Sequence, residues 1–372
     1  MKLIFIGLGI YFILWGIKRI YAENWNKGIE VELEFSATEC YPGDELEITE
    51  TIANHSWLPL PMLNIKFAID RKMVFEDGTE NTNISDKSYK CDVFSLLFFQ
   101  RIRRKLHCTC TGRGYFYVEE LDMVSTDLFM KNVVSVTRPV QQSITVFPQP
   151  LSREQIAIPY NRIMGSILTR EYTYEDPFEF RSIREYQTYD TMSSINWNAS
   201  ARTGELKVNV YENTSCQEIC ILLNLENEGI WEYEELKEKS ISLACSLAFQ
   251  LMEKGVGVSM LSNGVDSITE EVLQIQSGSD ENHRQTIVKG LSKIDLTKPM
   301  QEFEVLLEEK RNQVPKGAMP VLISLCKKEK LQRAYGRFAE ECADFLWIVP
   351  LLPGMDCKLE FYDSEKLIRW EV

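Results

Sequence analysis

A segment in the middle of the chain concentrates side chains that could do specific chemistry. It runs from Arg184 to Leu206 as REYQTYDTMSSINWNASARTGEL, with neither the spacing of an amphipathic helix nor the alternation of a half-buried strand. Arg184 and Arg202 could donate charge-assisted hydrogen bonds to Asp190, and Trp197 could fill an apolar slot with its N–H satisfied. We expect these contacts to hold the segment inside the fold. Arginine, tyrosine and tryptophan also dominate the energetics of protein interfaces, so a surface read by a partner is the open alternative.

Groups for catalysis do not come together in the sequence. The chain has only three histidines, His55, His107 and His283, and none stands beside a serine or cysteine nucleophile motif. No glycine-rich loop precedes a helix in the form that phosphate binding requires. We therefore predict that the protein is not an enzyme, and we identify no cofactor and no small-molecule substrate.

The overall charge argues against nucleic acid as a partner. The formal net charge is -14, which would repel a polyanion. One basic cluster, RIRRKLH from Arg101 to His107, departs from this balance. It could blunt a solvated edge strand or, in an anchored protein, contact anionic lipid headgroups.

Ten cysteines are scattered at irregular spacing, several of them inside strongly apolar runs. A free thiol in such a run behaves as a small hydrophobic group, and the pattern is typical of a reducing compartment. Cys108 and Cys110 form a C-x-C pair, but no second cysteine or histidine pair stands nearby at the spacing of a zinc site. Two neighbouring strand residues are the simpler interpretation.

The N-terminus, residues 1–22, predicts a membrane anchor. An unbroken apolar run extends from Leu3 to Ile17 and ends at Lys18 and Arg19. About 15 residues at 1.5 Å each give roughly 22 Å, which is short of a hydrocarbon core of about 30 Å unless flanking residues extend the span. Because no good cleavage site follows, we expect a retained single-pass helix rather than a signal peptide. Most of the positive charge lies after the run, which places the soluble part in the cytoplasm.

Two soluble regions follow, joined by an arm. Over residues 29–150, short alternating runs such as IEVELEF and QSITVFP are separated by turn residues, which predicts an antiparallel β-sandwich. Residues 151–210 are the arm that contains the Arg184 segment. Residues 211–372 alternate apolar strands such as EICILLNL with segments of helical spacing. This alternation predicts a mostly parallel sheet covered by helices, so the whole chain is an α+β multidomain protein.

The Arg184 segment and the order of the regions resemble a bacterial family known only as domain of unknown function fifty-eight. Its signature is R-x-Y-x-x-G-D-x-x-R-x-I-x-W-x-x-S-A-R. The matching positions here are Arg184, Tyr186, Asp190, Ile195, Trp197, Ser200, Ala201 and Arg202. Tyr189 and Ser193 stand where the signature has its glycine and its middle arginine, so a role for that arginine does not transfer. The resemblance implies an anchor, a β-rich region and a von Willebrand A-like, Rossmann-like α/β domain over residues 211–372.

The resemblance also raises the question of a metal site. Von Willebrand A domains that bind magnesium place Asp-x-Ser-x-Ser after the first strand, because carboxylate and hydroxyl oxygens suit a hard cation. The corresponding loop here is Asn224-Leu-Glu226-Asn-Glu228, which lacks the leading aspartate and both serines. We expect a degenerate site that holds no metal ion.

A role beside other proteins is the function that the resemblance implies. Genes of the family commonly accompany an AAA+ ATPase of the MoxR type, a chaperone-like class. We therefore expect a membrane-anchored, non-enzymatic adaptor that works with such an ATPase in the assembly or maturation of other proteins. The alternative is an extracytoplasmic structural or adhesion-like module without an ATPase partner, which would need the opposite membrane orientation.

Overall fold

The chain divides into two compact units, Met1–Gln149 and Pro150–Val372. The computed structural model describes residues 2–76, 82–126, 132–171, 180–188, 190–211, 218–229, 233–311, 317–340, 342, 344–355 and 366–372. Tyr189, Cys216 and Cys357 lie outside the described residues.

Unit 1 begins with helix α1, Lys2–Asn24. Its part Ile4–Asn24 is long and apolar enough to cross a membrane, with a mean hydropathy of 1.5, and only 6% of it is buried. Before the buried Tyr21, the 17 residues from Ile4 to Ile20 extend about 26 Å at 1.5 Å per residue, somewhat less than a hydrocarbon core of about 30 Å. The end of the helix has a second role, because Tyr21 and Trp25 are buried in the core of the unit.

Two β-sheets share that core. The four-stranded sheet has the order β1-β3-β8-β5 and the six-stranded sheet the order β2-β10-β9-β4-β7-β6. The strands are β1 (Ile29–Phe35), β2 (Glu39–Cys40), β3 (Glu45–Asn54), β4 (Leu60–Asp70), β5 (Met73–Phe75), β6 (Thr82–Ile84), β7 (Lys87–Leu96), β8 (Arg101–Cys110), β9 (Gly114–Thr126) and β10 (Val133–Val146). All their pairings are antiparallel except the short one between β2 and β10. Burial alternates along β7, as it must when one face of a strand packs on a core.

The cysteines of unit 1 lie mostly inside this core. Cys40, Cys108 and Cys110 are buried free thiols, and the Sγ atoms of Cys40 and Cys110 are 3.4 Å apart. Cys108 and Cys110 are alternate residues of β8, which confirms that the C-x-C pair is part of a strand. Burial raises the pKa of the Cys108 thiol to about 12, so this thiol behaves as an apolar group.

Unit 2 places an α/β sheet after a helix and the Arg184 segment. Its elements are α2 (Ala157–Glu171), β11 (Phe180–Glu185), α3 (Trp197–Thr203), β12 (Lys207–Tyr211), β13 (Glu218–Asn224), α4 (Glu234–Glu253), β14 (Gly257–Asp266), β15 (Val272–Gly278), α5 (Glu281–Lys293), β16 (Ile294–Asp295), α6 (Phe303–Lys310), β17 (Met319–Ser324), α7 (Glu329–Ala339), β18 (Leu346–Leu351) and β19 (Leu367–Glu371). Trp370 Nε1 donates to the Gln155 carbonyl at 2.8 Å, and Leu151 N donates to Ser246 Oγ at 3.1 Å. The start of the expected arm is therefore hydrogen-bonded to β19 and α4 of the α/β region.

The large sheet has the order β15-β14-β13-β17-β18-β19, with β16 paired to β14. Only β15 and β16 run antiparallel to their neighbour β14. Leu222 packs in one cluster with residues of α6 and α7, while its strand neighbours Ile221 and Leu223 point to the other face and are equally buried. Burial on both faces explains why the strands of this sheet are continuous apolar runs in the sequence.

Candidate functional site

The Arg184 segment folds into a small module between two paired strands. Strands β11 and β12 are antiparallel, and a short 3-10 helix, Met192–Ser194, and helix α3 lie between them in the chain. Ile195 bridges to Val208 of β12, and both side chains are buried. The segment therefore has regular structure that its sequence pattern did not indicate.

Polar side chains hold helix α3 on β12. Asn196 caps the helix by accepting from Ala199 N at 2.9 Å, and its amide donates to Asn209 Oδ1 at 2.7 Å. Ser200 donates to the Asn196 carbonyl at 2.8 Å and accepts from Lys207 N at 2.8 Å. The helix ends at a glycine, Gly204, whose φ of 77° is the left-handed conformation that glycine tolerates. The small polar positions of the signature thus have a structural role here.

Arg184 and Asp190 form a two-pronged ion pair. Arg184 Nη1 donates to Asp190 Oδ2 at 2.7 Å and Nη2 donates to Oδ1 at 2.6 Å. The carboxylate also accepts from Gln187 N at 2.8 Å. These hydrogen bonds, first among them those from Arg184, hold the pKa of Asp190 below its usual value. The expected pairing of Arg184 with Asp190 is therefore confirmed.

Trp197 and Arg202 lie elsewhere than expected. The prediction that Trp197 fills an apolar slot is wrong, because 64% of its surface is exposed. The physical reason is the size of helix α3, which is seven residues long and buries only Ser200 against β12. Arg202 is also exposed, and it makes no ion pair or hydrogen bond with the residues that the structure describes. Tyr186 is half-buried and joins the module through its N–H, which donates to the Leu206 carbonyl at 2.9 Å.

Other apolar side chains of the module are also in solvent. Met192 is 72% exposed, and Ile183 and Leu206 are exposed as well. The exposure of these three side chains was not predicted from the sequence, because a single apolar residue in an irregular pattern does not show whether it faces the core or the solvent. Ser193, at the position of the signature's middle arginine, is exposed and hydrogen-bonds Thr191 through its hydroxyl.

A second polar cluster lies at the carboxyl edge of the large sheet. The strand order reverses between β13 and β17, and this is the place where open α/β sheets bind ligands. Asn224 at the end of β13 donates to Ser324 Oγ at the end of β17, 3.1 Å away, and accepts from Asn263 Nδ2 at 3.0 Å. All three side chains are fully buried. Asn263 and Ser324 were not singled out from the sequence, although Ser324 ends β17 and Asn263 follows the apolar first part of β14.

The two glutamates of the loop after β13 are engaged by other groups. Glu226 accepts from Phe303 N, at the start of α6, at 3.2 Å, and lies 3.8 Å from Lys328 Nζ. Glu228 pairs with Lys327 at 3.4 Å. Burial is the main cause that raises the pKa of Glu226. Among the described residues no three histidine, cysteine, aspartate or glutamate side chains are grouped so that they could hold a metal ion. The lysines thus supply the positive charge that these carboxylates face.

Comparison with known proteins identifies a family but no function. Residues 182–343 match the model of the family described as "Protein of unknown function DUF58". No curated protein matches the chain. Among solved structures, a CARDB domain from Pyrococcus furiosus, in complex with di-metal ions, is similar to 30% of this chain over 91% of its own length, with 14% identity and a TM-score of 0.20. The protein CaCohA2 from Clostridium acetobutylicum covers 31% of this chain and 90% of its own, with 18% identity and a TM-score of 0.22. The N-terminal domain of the Streptococcus gordonii adhesin Sgo0707 covers 31% and 32%, with 8% identity and a TM-score of 0.23.

Proposed function

Over residues 182–343 the chain belongs to the DUF58 family, and from that premise we propose that it is a membrane-anchored, non-enzymatic adaptor whose motif module is read by a MoxR-type AAA+ ATPase. The motif module is the segment from β11 to β12, residues 180–211. The ATPase partner comes from the family resemblance. The role of the module as the surface that the partner reads comes from its geometry.

The exposed Trp197 is the observation that carries the proposal. A tryptophan that is 64% exposed on a rigidly capped helix exposes a large apolar ring to water. Tryptophan, tyrosine and arginine are the residues that most often dominate the energy of a protein interface. The capping by Asn196 and the contact of Ser200 with β12 pre-organise the ring, which lowers the entropy lost on binding.

Arg202 adds an exposed charge to helix α3, about 140° around the helix from Trp197. It lies in the last turn of α3, is exposed, and makes no ion pair with any residue in the described part of the chain. Arg184, by contrast, already holds Asp190. A partner with an acidic group opposite Arg202 and an apolar pocket for Trp197 would therefore be recognised by both contacts.

The α/β sheet supports a von Willebrand A-like, Rossmann-like assignment. If the six main strands are renumbered 1 to 6 along the chain from β13, leaving out the two-residue β16, their order across the sheet is 3-2-1-4-5-6. This is the order of doubly wound nucleotide-binding sheets, and the third strand here is antiparallel. In our proposal this domain acts through protein contacts rather than a bound cation, because lysines face the glutamates at its carboxyl edge.

Helix α1 supports placement at the membrane, and we propose that the soluble part faces the cytoplasm. The Cys40 and Cys110 thiols, 3.4 Å apart, test this orientation against the extracytoplasmic alternative. If the soluble part faces the cytoplasm, we expect both thiols to stay reduced. Alkylation of the free thiols in acid-quenched cells, followed by mass spectrometry, measures this. A Cys40–Cys110 disulfide in unstressed cells would favour the extracytoplasmic module.

The central experiment is a pull-down of tagged full-length protein from solubilised membranes of its own cells. We expect an AAA+ ATPase to co-purify with the unmodified chain and to be lost with Trp197→Ala and with Arg202→Glu. Both variants should melt like the unmodified protein, because substitutions at exposed positions usually change stability by less than about 0.5 kcal/mol. Tyr117→Ala is the matched control, since Tyr117 is an exposed aromatic residue of unit 1. An unmodified chain that captures no ATPase, or a Trp197→Ala variant that keeps it, would contradict the proposal.

A further inference from the structure

Unit 1 has an exposed apolar tip at one end of its sheets. The tip consists of Leu97, Phe98 and Phe99, in the turn between β7 and β8, together with Trp57 in the loop between β3 and β4. Each of these side chains is exposed by between 60% and 70%. Four large apolar residues at adjacent turns are costly in water, and an exposed apolar patch of this kind is typical of an interaction site.

Hydrogen bonds hold the two turns of the tip together. The buried Asn54 amide donates to the Leu97 carbonyl at 2.9 Å and to the Leu58 carbonyl at 2.8 Å. Phe99 N donates to the Ser56 carbonyl at 3.3 Å. Phe99 has a φ of 53°, a left-handed conformation that is unusual for a bulky residue and costs free energy. The backbone is therefore fixed in a shape that keeps the aromatic side chains in solvent.

The tip lies beside the end of helix α1. The Tyr21 hydroxyl donates to the Pro59 carbonyl at 3.4 Å, and His55 N donates to the Gly28 carbonyl at 2.7 Å. Gly28 packs so closely on Ser56 that a Cβ at residue 28 would lie 2.6 Å from the Ser56 Cβ. The loop that contains Trp57 is thus in direct contact with the segment through which α1 enters the unit.

The two turns of the tip are more basic than the chain as a whole, although the Glu30 carboxylate of β1 lies 3.0 Å from His55 beside them. The net charge of the protein is -14, but residues 54–62 and 96–104 contain no aspartate or glutamate. Arg101 and Arg103 follow the tip on β8, are exposed, and make no ion pair with the residues that the structure describes. Strand β8, which carries both arginines, pairs with β3 along one edge over residues 101–109. Along its other edge it pairs with β5 only at residues 108–110, so that edge is unpaired by named strands beside Arg101 and Arg103. Arg101 and Arg103 therefore continue the apolar tip as an exposed surface, whereas Arg104 pairs with Asp92 and Lys105 with Glu47.

We propose that this tip inserts into the interfacial layer of the same bilayer that α1 enters, with Arg101 and Arg103 against anionic lipid headgroups. The inference rests on the membrane anchoring in the proposed function and adds a second contact to it. Segments that lie at a membrane interface typically combine aromatic rings with neighbouring basic side chains. The ring lies at the depth of the headgroups, and the basic side chain faces the lipid phosphate. The second contact would restrict the tilt of unit 1 relative to the membrane.

Photo-crosslinking of the full-length chain in vesicles that contain phosphatidylglycerol tests the proposal. A photoreactive benzoylphenylalanine replaces Phe98 in one sample, Phe5 of α1 in a second and Tyr117 in a third. Tyr117 is the matched control, because it is an exposed aromatic residue on β9 outside the tip. We expect lipid adducts at positions 98 and 5 and none at 117. The inference would be overturned, with the anchor left intact, if position 5 gave lipid adducts while position 98 gave only protein adducts or no adducts at all. No lipid adduct at either position would overturn both.

The basic residues are tested separately in the Phe98-labelled chain. Arg101→Glu with Arg103→Glu should lower the yield of lipid adducts several-fold in anionic vesicles and have little effect in vesicles of phosphatidylcholine alone. Arg71→Glu is the control, since Arg71 is an exposed arginine in the turn after β4, the end of that strand remote from Pro59. Melting curves of both variants show whether unit 1 stays folded. A double variant that folds and keeps the full yield in anionic vesicles would contradict the headgroup contact.

Discussion

Arg184 and Arg202 occupy two positions of one signature, yet their surroundings differ. Arg184 makes two hydrogen bonds to a carboxylate whose side chain is almost fully buried. Arg202 faces solvent without an ion-pair partner in the described part of the chain. Substitutions at the two positions should therefore affect different properties, stability at the first and partner binding at the second.

We predict that Arg184→Ala lowers the free energy of unfolding of unit 2, because Asp190 loses both charge-assisted hydrogen bonds. Arg202→Ala is the matched control and should change it by less than about 0.5 kcal/mol. Urea unfolding of the two variants side by side measures both effects. Equal losses at the two positions would contradict the assignment of Arg184 as the structural arginine.

Glu50 is a buried acid in the core of unit 1 whose two carboxylate oxygens have no hydrogen-bond partner among the described residues. The pKa of Glu50 is raised from 4.5 to about 7. Burial of the carboxyl is the larger cause, and the negative charge of the nearby Asp92 is the second. The folded state therefore binds a proton more tightly than the unfolded state. The contribution of Glu50 to the stability of unit 1 is therefore greatest below pH 4.5 and is lost as the pH rises toward and through 7.

We predict that Glu50→Gln, which keeps the shape and removes the charge, stabilises unit 1 at pH 8 by up to about 3 kcal/mol and has little effect at pH 4.5. Hydrogen exchange of β3 and β8 at several pH values measures the difference. Glu45→Gln, at an exposed position of the same strand, is the control. Parallel pH profiles for the Glu50→Gln variant and the unmodified chain would show that Glu50 does not titrate in this range.

At the scale of elements, the loop after β13 carries its own ion pairs at the carboxyl edge of the sheet. Glu226 accepts from the first N–H of α6, and Glu228 pairs with Lys327. A divalent cation would have to displace a lysine and a helix N-terminus, and it would find neither the aspartate nor the hydroxyl pair of a magnesium site.

We predict that magnesium or manganese at millimolar concentration gives no saturable heat in calorimetry with the purified protein. The experiment is repeated with Glu226→Gln, because a real site at this loop would lose its heat in that variant. Saturable binding that disappears with Glu226→Gln would contradict the prediction. Binding that persists in the variant would place a cation elsewhere in the chain.

At the scale of the whole molecule, α1 is long and apolar enough to cross a membrane, and its end also packs into the core of unit 1. Residues Ile4 to Trp15 are exposed, whereas Tyr21 is buried at 1% exposure and Trp25, just after the helix, at 4%. A truncation designed from the apolar run alone, at residue 22, removes a core aromatic side chain together with the anchor.

We predict that removal of residues 1–17 releases the protein from membranes after a high-salt wash and leaves unit 1 folded. Removal of residues 1–22 should cost unit 1 an additional 3 to 5 kcal/mol or so, since a large buried aromatic side chain is lost. Fractionation and thermal melting of both truncations provide the measurements. Unchanged membrane association of the shorter truncation after the salt wash would contradict the anchor.

The sequence was most informative where structure depends on local pattern. The apolar run of α1 and the alternation of β7 are visible without coordinates, because a helix or a half-buried strand repeats its exposure with a fixed period. The DUF58 match rests on the same kind of local spacing. Trp197 shows the limit of such patterns. Its residue type favours a core, but the short helix that carries it offers no second layer to cover it.

By itself, then, the sequence determined the apolar N-terminal helix, the antiparallel β region, the later α/β region and the match of residues 182–343 to the DUF58 family. Only the tertiary structure decided that Arg184 rather than Arg202 holds Asp190, that Trp197 faces solvent, and which side chains meet at the sheet edge. Asn224 meets Asn263 and Ser324 across 39 and 100 residues of chain. The Phe98 turn likewise lies beside the end of α1 because strand pairing brings Ser56 to both. Contacts of this kind depend on strand order and register, and no local periodicity encodes them.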